Sequence, residues 1–292
     1  MIVVAIKAGL GNQLFQYACG RALSLRNGEP IKFDITSYAR TVNSDTPRQY
    51  LLDRFNIADV AFAGEDEVRR LKYPHGGLSM LYRRLRTKLG LHNVGWVPRI
   101  LRARGDIYLD GYWQTEKYFA DRADVIRAEL SLKGPLSPAA QAVADDIGAG
   151  SMPAVSLHVR RGDVARDWKT NPYAGICTPA YYEAALARMK DELAKRGISS
   201  FRAFVFSDGM EWAKENIRIP FPTVYVPDEA PDYEQLILMS RCAHHIIANS
   251  SFSWWGAWLD PKPDKIVIAP KRWIQKHGYR HRDTVPESWI RI

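Results

Sequence analysis

The 292-residue chain has room for two ordinary domains, and 46% hydrophobic with 25% charged residues is a globular balance that excludes a disordered or fibrous protein. No stretch reaches the roughly 18 uninterrupted apolar residues of a membrane span, and the short apolar run after Met1 has no basic region before it, so no signal peptide and a cytoplasmic location are expected. The net charge of +9 is concentrated: residues 69–104 hold ten Lys or Arg and no Asp or Glu, a segment suited to an acidic substrate, a nucleic acid or an anionic membrane.

In chain order, Ile2–Ile6 reads as a strand, followed by an Ala8–Gly11 turn and a helix carrying Leu14, Tyr17, Ala18, Ala22 and Leu25 at helical spacing. Gly28 ends that helix, and Ile31–Asp34 is the next strand. Leu78, Leu81, Leu85 and Leu89 share one helical face, with Arg83, Arg84, Arg86 and Lys88 largely away from it. The default reading is a core stripe beneath a solvated basic face. Ile107–Asp110 reads as a strand running into Gly111–Phe119. The punctuated segment 136–153 is expected to be a linker between an N-terminal domain over 1–135 and a C-terminal domain over 154–271, with 272–292 packing back on the first.

The second half alternates. Strands are expected at Ala154–Val159, Phe201–Phe206, His244–Ala248 and Lys265–Ala269, with helices after Thr178, after Pro231 and near Phe252. Such alternation implies α/β architecture with parallel sheets, and two such halves suggest facing Rossmann-like domains with a cleft between them. The cysteines (Cys19, Cys177, Cys242) are odd in number and lack CxxC spacing, so neither a disulfide framework nor a zinc site is indicated.

Ligands of open α/β sheets bind beyond the carboxyl ends of strands. There this chain places Gly9–Gln13, Arg160–Asp163, Ser207–Gly209 and Asn249–Ser253. Paired arginines can fork onto a pyrophosphate. A serine-rich helix start offers hydroxyls and unsatisfied N–H groups to a phosphate oxygen. Taken singly, Arg160–Asp163 is also readable as a turn tied by a surface ion pair, and Asn249–Ser253 as a helix cap. Trp254, Trp255 and Trp258 read first as core, and His244 and His245 as structural, having no metal-ligand partners at suitable spacing.

Together Gly9–Ala18, Gly111–Gln114, Glu116–Phe119, His158–Asp163, Phe206–Asp208 and Asn249–Leu259, in that order, resemble the α-1,2-fucosyltransferases of glycosyltransferase family 11. The resemblance implies a GT-B fold, the first domain serving the acceptor and the second GDP-fucose, with inverting transfer to a galactose 2-OH and neither metal nor cofactor. By position, Arg160 resembles the arginine on the β-phosphate, flanked by His158 and Arg161. Ser250, Ser251, Phe252 and Ser253 resemble the phosphate turn, and Asp232 the carboxylate that reads guanine. Gly11, Asn12, Gln13, Ser207, Asp208 and Asn249 complete the donor set, and Asp110, Tyr112, Gln114 and Glu116 the acceptor side. Where the family usually shows Phe-Ser-Asp-Asp, this chain has Gly209 in the last position.

Asp163, Asp34, Asp110 and Glu116 are all candidates for the base that deprotonates the acceptor. The partners expected are GDP-fucose and a galactose-terminated glycan, which lipid linkage would bring to the inner face of a membrane bound through 69–104. Another GDP-sugar or acceptor hydroxyl would leave the same phosphate motifs. An RNA-binding protein fits the charge, but no RNA-recognition signature is present and the basic residues avoid the strand ends, so no nucleic acid is expected.

Overall fold

The computed structural model describes residues 1–39, 48–88, 94–161, 176–274 and 283–292. The chain divides into two compact units: Met1–Lys133 with a short C-terminal piece ending at Thr284, and a second unit that starts at Gly134 and includes Val285–Ile292.

In the first unit, β1 (Ile2–Ala5), β2 (Ile31–Asp34), β3 (Ala61–Phe62) and β4 (Ile107–Leu109) form a parallel sheet in the order β3-β2-β1-β4. β1 is buried at every position, as a parallel strand covered on both faces must be. Ile2 pairs with Ile31 on one side and Ile107 on the other, so the chain leaves β1 and β4 side by side. The helix Leu10–Asn27 follows β1 and stops at Gly28, whose φ of +66° lets its N–H reach the Ser24 carbonyl. Gly20 permits close packing of this helix on the sheet, since a Cβ there would lie 2.4 Å from Val4 Cγ2.

In the second unit, β5 (Ala154–Val159), β6 (Arg202–Ser207), β7 (Thr223–Tyr225), β8 (His244–Ile246), β9 (Val267–Ala269) and β10 (Ile290–Arg291) form a parallel sheet in the order β10-β9-β8-β5-β6-β7. Alternation of strand side chains gives it two cores. Val155, Leu157 and Val159 pack with Tyr182, Leu186 and Met189 of the helix Pro179–Ala194. Ala154, Phe204 and Phe206 pack on the other face with Leu238 and Met239 of the helix Asp232–Arg241.

Three sequence expectations are corrected. The segment 136–153 is not a linker, because the helix Pro138–Gly148 places Ala140, Val143 and Ala144, one face at i, i+3 and i+4, in the second core. Ser137 caps that helix, and its N–H and Oγ both bond the buried Glu234 (3.1 and 2.5 Å). The tail from Val285 joins the second unit, not the first, since β10 extends the sheet by pairing Ile290 with Ile268; Asp283 does bond Lys117 of the first unit. The leucine stripe of the helix Gly77–Lys88 is not core: Leu78, Leu81 and Leu85 are exposed. Leu89 lies outside the described residues.

Trp254, Trp255 and Trp258 are buried, with Trp254 and Trp258 stacked 6.0 Å apart. A buried polar chain lies nearby: Ser156 Oγ to His245 Nδ1 (2.8 Å), then His245 Nε2 to Asp260 Oδ2 (3.1 Å). Asp260 Oδ1 also accepts from the Lys262 N–H (3.0 Å). Burial drives the His245 pKa down against the pull of Asp260. Burial also raises Asp260, but its bonds to His245 and Lys262 outweigh that and leave it below the usual carboxylate range. His244 is pushed down to about 4, first by burial and then by Arg196 and His245. Its Nδ1 accepts the Ile266 N–H at 3.0 Å, a bond open only to an unprotonated nitrogen.

These histidines have folded pKa values below their unfolded ones, so the unfolded chain binds more protons in between. Stability is therefore fully present above about pH 6.5 and falls as pH drops toward 4. Urea midpoints measured across that range should decrease steadily with acidification; a flat profile contradicts the assignment.

Candidate functional site

The order β8-β5-β6 sets three polar strand ends next to one another in the second unit. Arg160 and Arg161 leave β5, and Asp208 leaves β6 to serve both. Its Oδ2 lies 2.5 Å from Arg160 Nη1, and its Oδ1 accepts the Arg161 N–H at 2.6 Å. Both partners of the ion pair are partly exposed, so it contributes only about 0–1 kcal/mol to stability. Its consequence is orientation: the Arg160 fork is aimed by a carboxylate on the neighbouring strand. The Arg161 guanidinium lies 3.8 Å over the Trp212 ring, a cation–π contact. The two arginines are thus held differently, one by charge and one by stacking. Trp212 matches the family pattern in sequence; its contact with Arg161, from the helix Met210–Asn216 right after Gly209, is visible only in the structure.

A Cβ at Gly209 would sit 2.9 Å from Arg161 Cβ. A glycine at this position therefore gives Arg161 space beside Trp212. The Gly209 N–H bonds Ser207 Oγ at 3.0 Å, so Ser207 stabilises the turn.

Beyond β8, Ser250 caps the helix Ser251–Leu259 by accepting the Phe252 N–H at 3.3 Å. Ser253 is buried and its hydroxyl bonds the Ala248 and Ser250 carbonyls (3.4 Å each), so it shapes the turn from within. Ser251 and Phe252 are half-buried at the helix start. Asn249 is braced by Cys177 Sγ and the Trp273 carbonyl (3.3 Å each). His158, buried on β5, lies 5.6 Å from the Phe252 ring and links the end of β5 to this helix start. Its pKa is pushed down to about 4, chiefly by burial, with Asp208 pulling up and Arg160 down. It is neutral at pH 7, and its Nδ1 has no hydrogen-bond partner among the described residues. Asp232 is exposed at the start of its helix, beyond the sheet-edge strand β7. Asp163 lies outside the described residues.

The remaining candidates meet in the first unit, at the adjacent ends of β1 and β4. Both loops hold a non-glycine residue at positive φ: Ala8 (+67°) after β1 and Trp113 (+51°) after β4. Tyr38 Oη and Gln13 Nε2 both donate to the Ala8 carbonyl (3.0 and 3.1 Å), fixing the strained turn. Gln13 also donates to the Gln49 carbonyl and accepts the Leu51 N–H (2.7 and 2.9 Å). It is fully buried and its bonds serve loop architecture, which corrects its expected place as a ligand contact. Gly11 is buried in the first turn of the helix.

Asn12 and Gln114 join the two loops: Gln114 Nε2 donates to Asn12 Oδ1 at 2.7 Å. With its oxygen so engaged, Asn12 presents Nδ2 as a donor. Gln114 Oε1 is buried without a partner among the described residues. Lys7, which sequence reasoning passed over, binds Asp110 Oδ1 at 2.6 Å and lies 5.3 Å from the Tyr112 ring centroid. Glu116 opens a short 3-10 turn capped by Thr115. Asp34 is removed as a base: one oxygen accepts the Thr36 N–H and hydroxyl (3.0 and 2.6 Å), the other the Tyr108 hydroxyl (2.5 Å). Burial raises its pKa, but these bonds and Lys72 bring it below normal.

The profile described as Glycosyl transferase family 11 matches residues 101–292. The Escherichia coli α-1,2-colitosyltransferase is 30% identical over 305 residues, covering 100% of this chain and 99% of that protein. The E. coli O-antigen biosynthesis glycosyltransferase WbnK is 28% identical over 311 residues, covering 98% and 99%. Galactoside α-(1,2)-fucosyltransferase 1 of Saimiri boliviensis boliviensis is 28% identical over 182 residues, covering 59% of this chain and 48% of that protein. Among solved structures, fucosyltransferase NodZ from Bradyrhizobium overlays with a TM-score of 0.49 at 16% identity, covering 89% and 93%.

The left-handed turn at Ala8 generates a stability test. Left-handed backbone costs an L-residue about 1–2 kcal/mol, and a β-branched side chain makes it worse. Ala8→Val should lower unfolding free energy by about 2 kcal/mol in urea titration, with Ala8→Gly within about 1 kcal/mol of the parent. Equal stability of all three chains contradicts the strained turn.

Proposed function

Because the chain belongs to glycosyl transferase family 11 and is a glycosyltransferase, we propose that it transfers L-fucose from GDP-β-L-fucose to the 2-hydroxyl of a galactose in a glycan, with inversion and without a metal. The observation that carries this reading is the adjacency of β8, β5 and β6, which gathers the Arg160–Arg161 turn, Asp208 and the Ser250–Ser253 helix start at one end of one sheet. A GT-B arrangement, with the donor on the second unit and the acceptor on the first, is part of the proposal.

In this mechanism the acceptor oxygen attacks the anomeric carbon as GDP departs from the opposite face. Negative charge grows on the β-phosphate, and fixed cations and N–H dipoles stabilise it without rearranging. Arg160 is the cation in this scheme, and the start of the Ser251–Leu259 helix supplies N–H groups and the positive end of its dipole. Asp208 holds Arg160 in place until the diphosphate competes for the guanidinium. His158, neutral and buried, offers Nδ1 as a hydrogen-bonding group and leaves the cationic work to the arginines. Asp232 is proposed to read the guanine edge. Asp163 and the less buried carboxylates Asp110 and Glu116 stay as candidate bases.

A second reading has one specific support. The relative aligned over the whole chain is named for colitosyl transfer, and the fucosyltransferase relative aligns over 59% of it. Both names specify an α-1,2 linkage and differ in the sugar. A panel of GDP-sugars against galactose-terminated acceptors, with EDTA present and the product linkage determined, tests both. Transfer of fucose to the 2-hydroxyl in EDTA supports the first reading; preference for colitose supports the second.

Arg160→Ala should reduce kcat by about 10²–10³, and Arg160→Lys should recover little, because an ammonium cannot make the fork. Near-parental turnover by Arg160→Ala removes Arg160 from the mechanism, and near-parental turnover by Arg160→Lys removes the need for a fork. Gln114→Glu turns the Asn12 partner into an acceptor only, so Asn12 must donate to it and face outward with its oxygen. We expect a kcat loss of about tenfold or more at unchanged thermal stability; unaltered kinetics would make the pair purely architectural.

A further inference from the structure

Among the described residues, five of the eight large hydrophobic side chains left exposed lie in the single twelve-residue helix Gly77–Lys88: Leu78, Met80, Leu81, Tyr82 and Leu85. Leu78, Leu81 and Leu85 are 75%, 65% and 53% exposed. They fall at i, i+3 and i+7 and form one stripe, so this is an amphipathic helix with its apolar face uncovered. We propose that the face docks on an anionic membrane surface, with the helix lying in the plane of the interface and its leucines in the headgroup–acyl boundary.

Charge selects this occupant. The surrounding residues 69–104 carry ten Lys or Arg and no Asp or Glu. Arg70 is paired with Asp106 (2.8 Å) and Arg69 with Asp66 (3.8 Å); Arg84 on the helix and Arg99, Arg102 and Arg104 beyond it are exposed. An anionic lipid surface satisfies both halves of the pattern: the hydrocarbon edge takes the leucines, and the headgroups attract each basic residue. A second copy of this chain would bring the same positive segment against itself, at a repulsive cost. A nucleic acid offers the arginines phosphates but gives the leucines no apolar medium. Twelve residues make a helix of about 18 Å, short of the roughly 30 Å hydrocarbon core, so the helix lies on the bilayer. The Tyr73–Gly76 turn, with Gly76 at φ +52°, separates it from the helix Glu65–Lys72.

Cosedimentation of the full chain with vesicles of phosphatidylcholine, or of phosphatidylcholine and phosphatidylglycerol in equal parts, tests this. The parent should pellet with the mixed vesicles, stay in solution with the neutral ones and be released by high salt. Leu81→Glu with Leu85→Glu should weaken binding by about tenfold or more, and Arg84→Glu by about tenfold. All these side chains are exposed, so thermal unfolding should not change. A parent that ignores anionic vesicles, or a double variant that binds like the parent, overturns the proposal. So does sedimentation equilibrium showing a dimer that the double variant dissolves, because the stripe is then a subunit contact. None of these readings depends on the donor sugar.

Discussion

β5 is buried along its whole length between β8 and β6. A strand closed in on both faces and both edges satisfies most of its polar groups internally or carries them to its end. Ser156 is satisfied by His245 on the next strand. His158 lies one step before the exit and is held neutral by its surroundings. Polarity emerges where burial ends, at Arg160 and Arg161, and because the sheet is parallel, Ser207–Asp208 and Asn249–Ser253 emerge at the same end. One packing constraint therefore both builds the second core and collects its reactive groups.

That logic made much of the architecture readable in advance. β1, β5 and β6 are short runs dominated by apolar residues, and unusual polar side chains follow at their carboxyl ends. β3, β7 and β10 escaped because two or three residues contain no period, and edge pairing exists only once the neighbouring strand is in place. The segment 136–153 misled because glycine, proline and serine surround an alanine-rich helix. Alanine looks bland in sequence, but it lets Pro138–Gly148 pack closely on the second core.

The candidate site was legible by residue type more than by role. Arg160 and Asp208 both stood out; that one aims the other is a fact of strand pairing. Gln13 looked like a ligand residue because it ends the motif beyond β1, yet three backbone groups of its own loops occupy its amide. Its neighbour Asn12 faces another loop, and its orientation depends on Gln114, about a hundred residues away. Gly209 is the opposite case, an apparent loss that structure accounts for by the approach of Arg161.

The Ser156, His245 and Asp260 chain bears on how such folds are recognised. A search for hydrolases by proximity of those three side chains would select this protein. It would be wrong twice over. The imidazole nitrogens are exchanged, with serine on Nδ1 and the carboxylate on Nε2, the reverse of a working acyl-transfer relay. The serine itself is 2% exposed, so no ester could reach it.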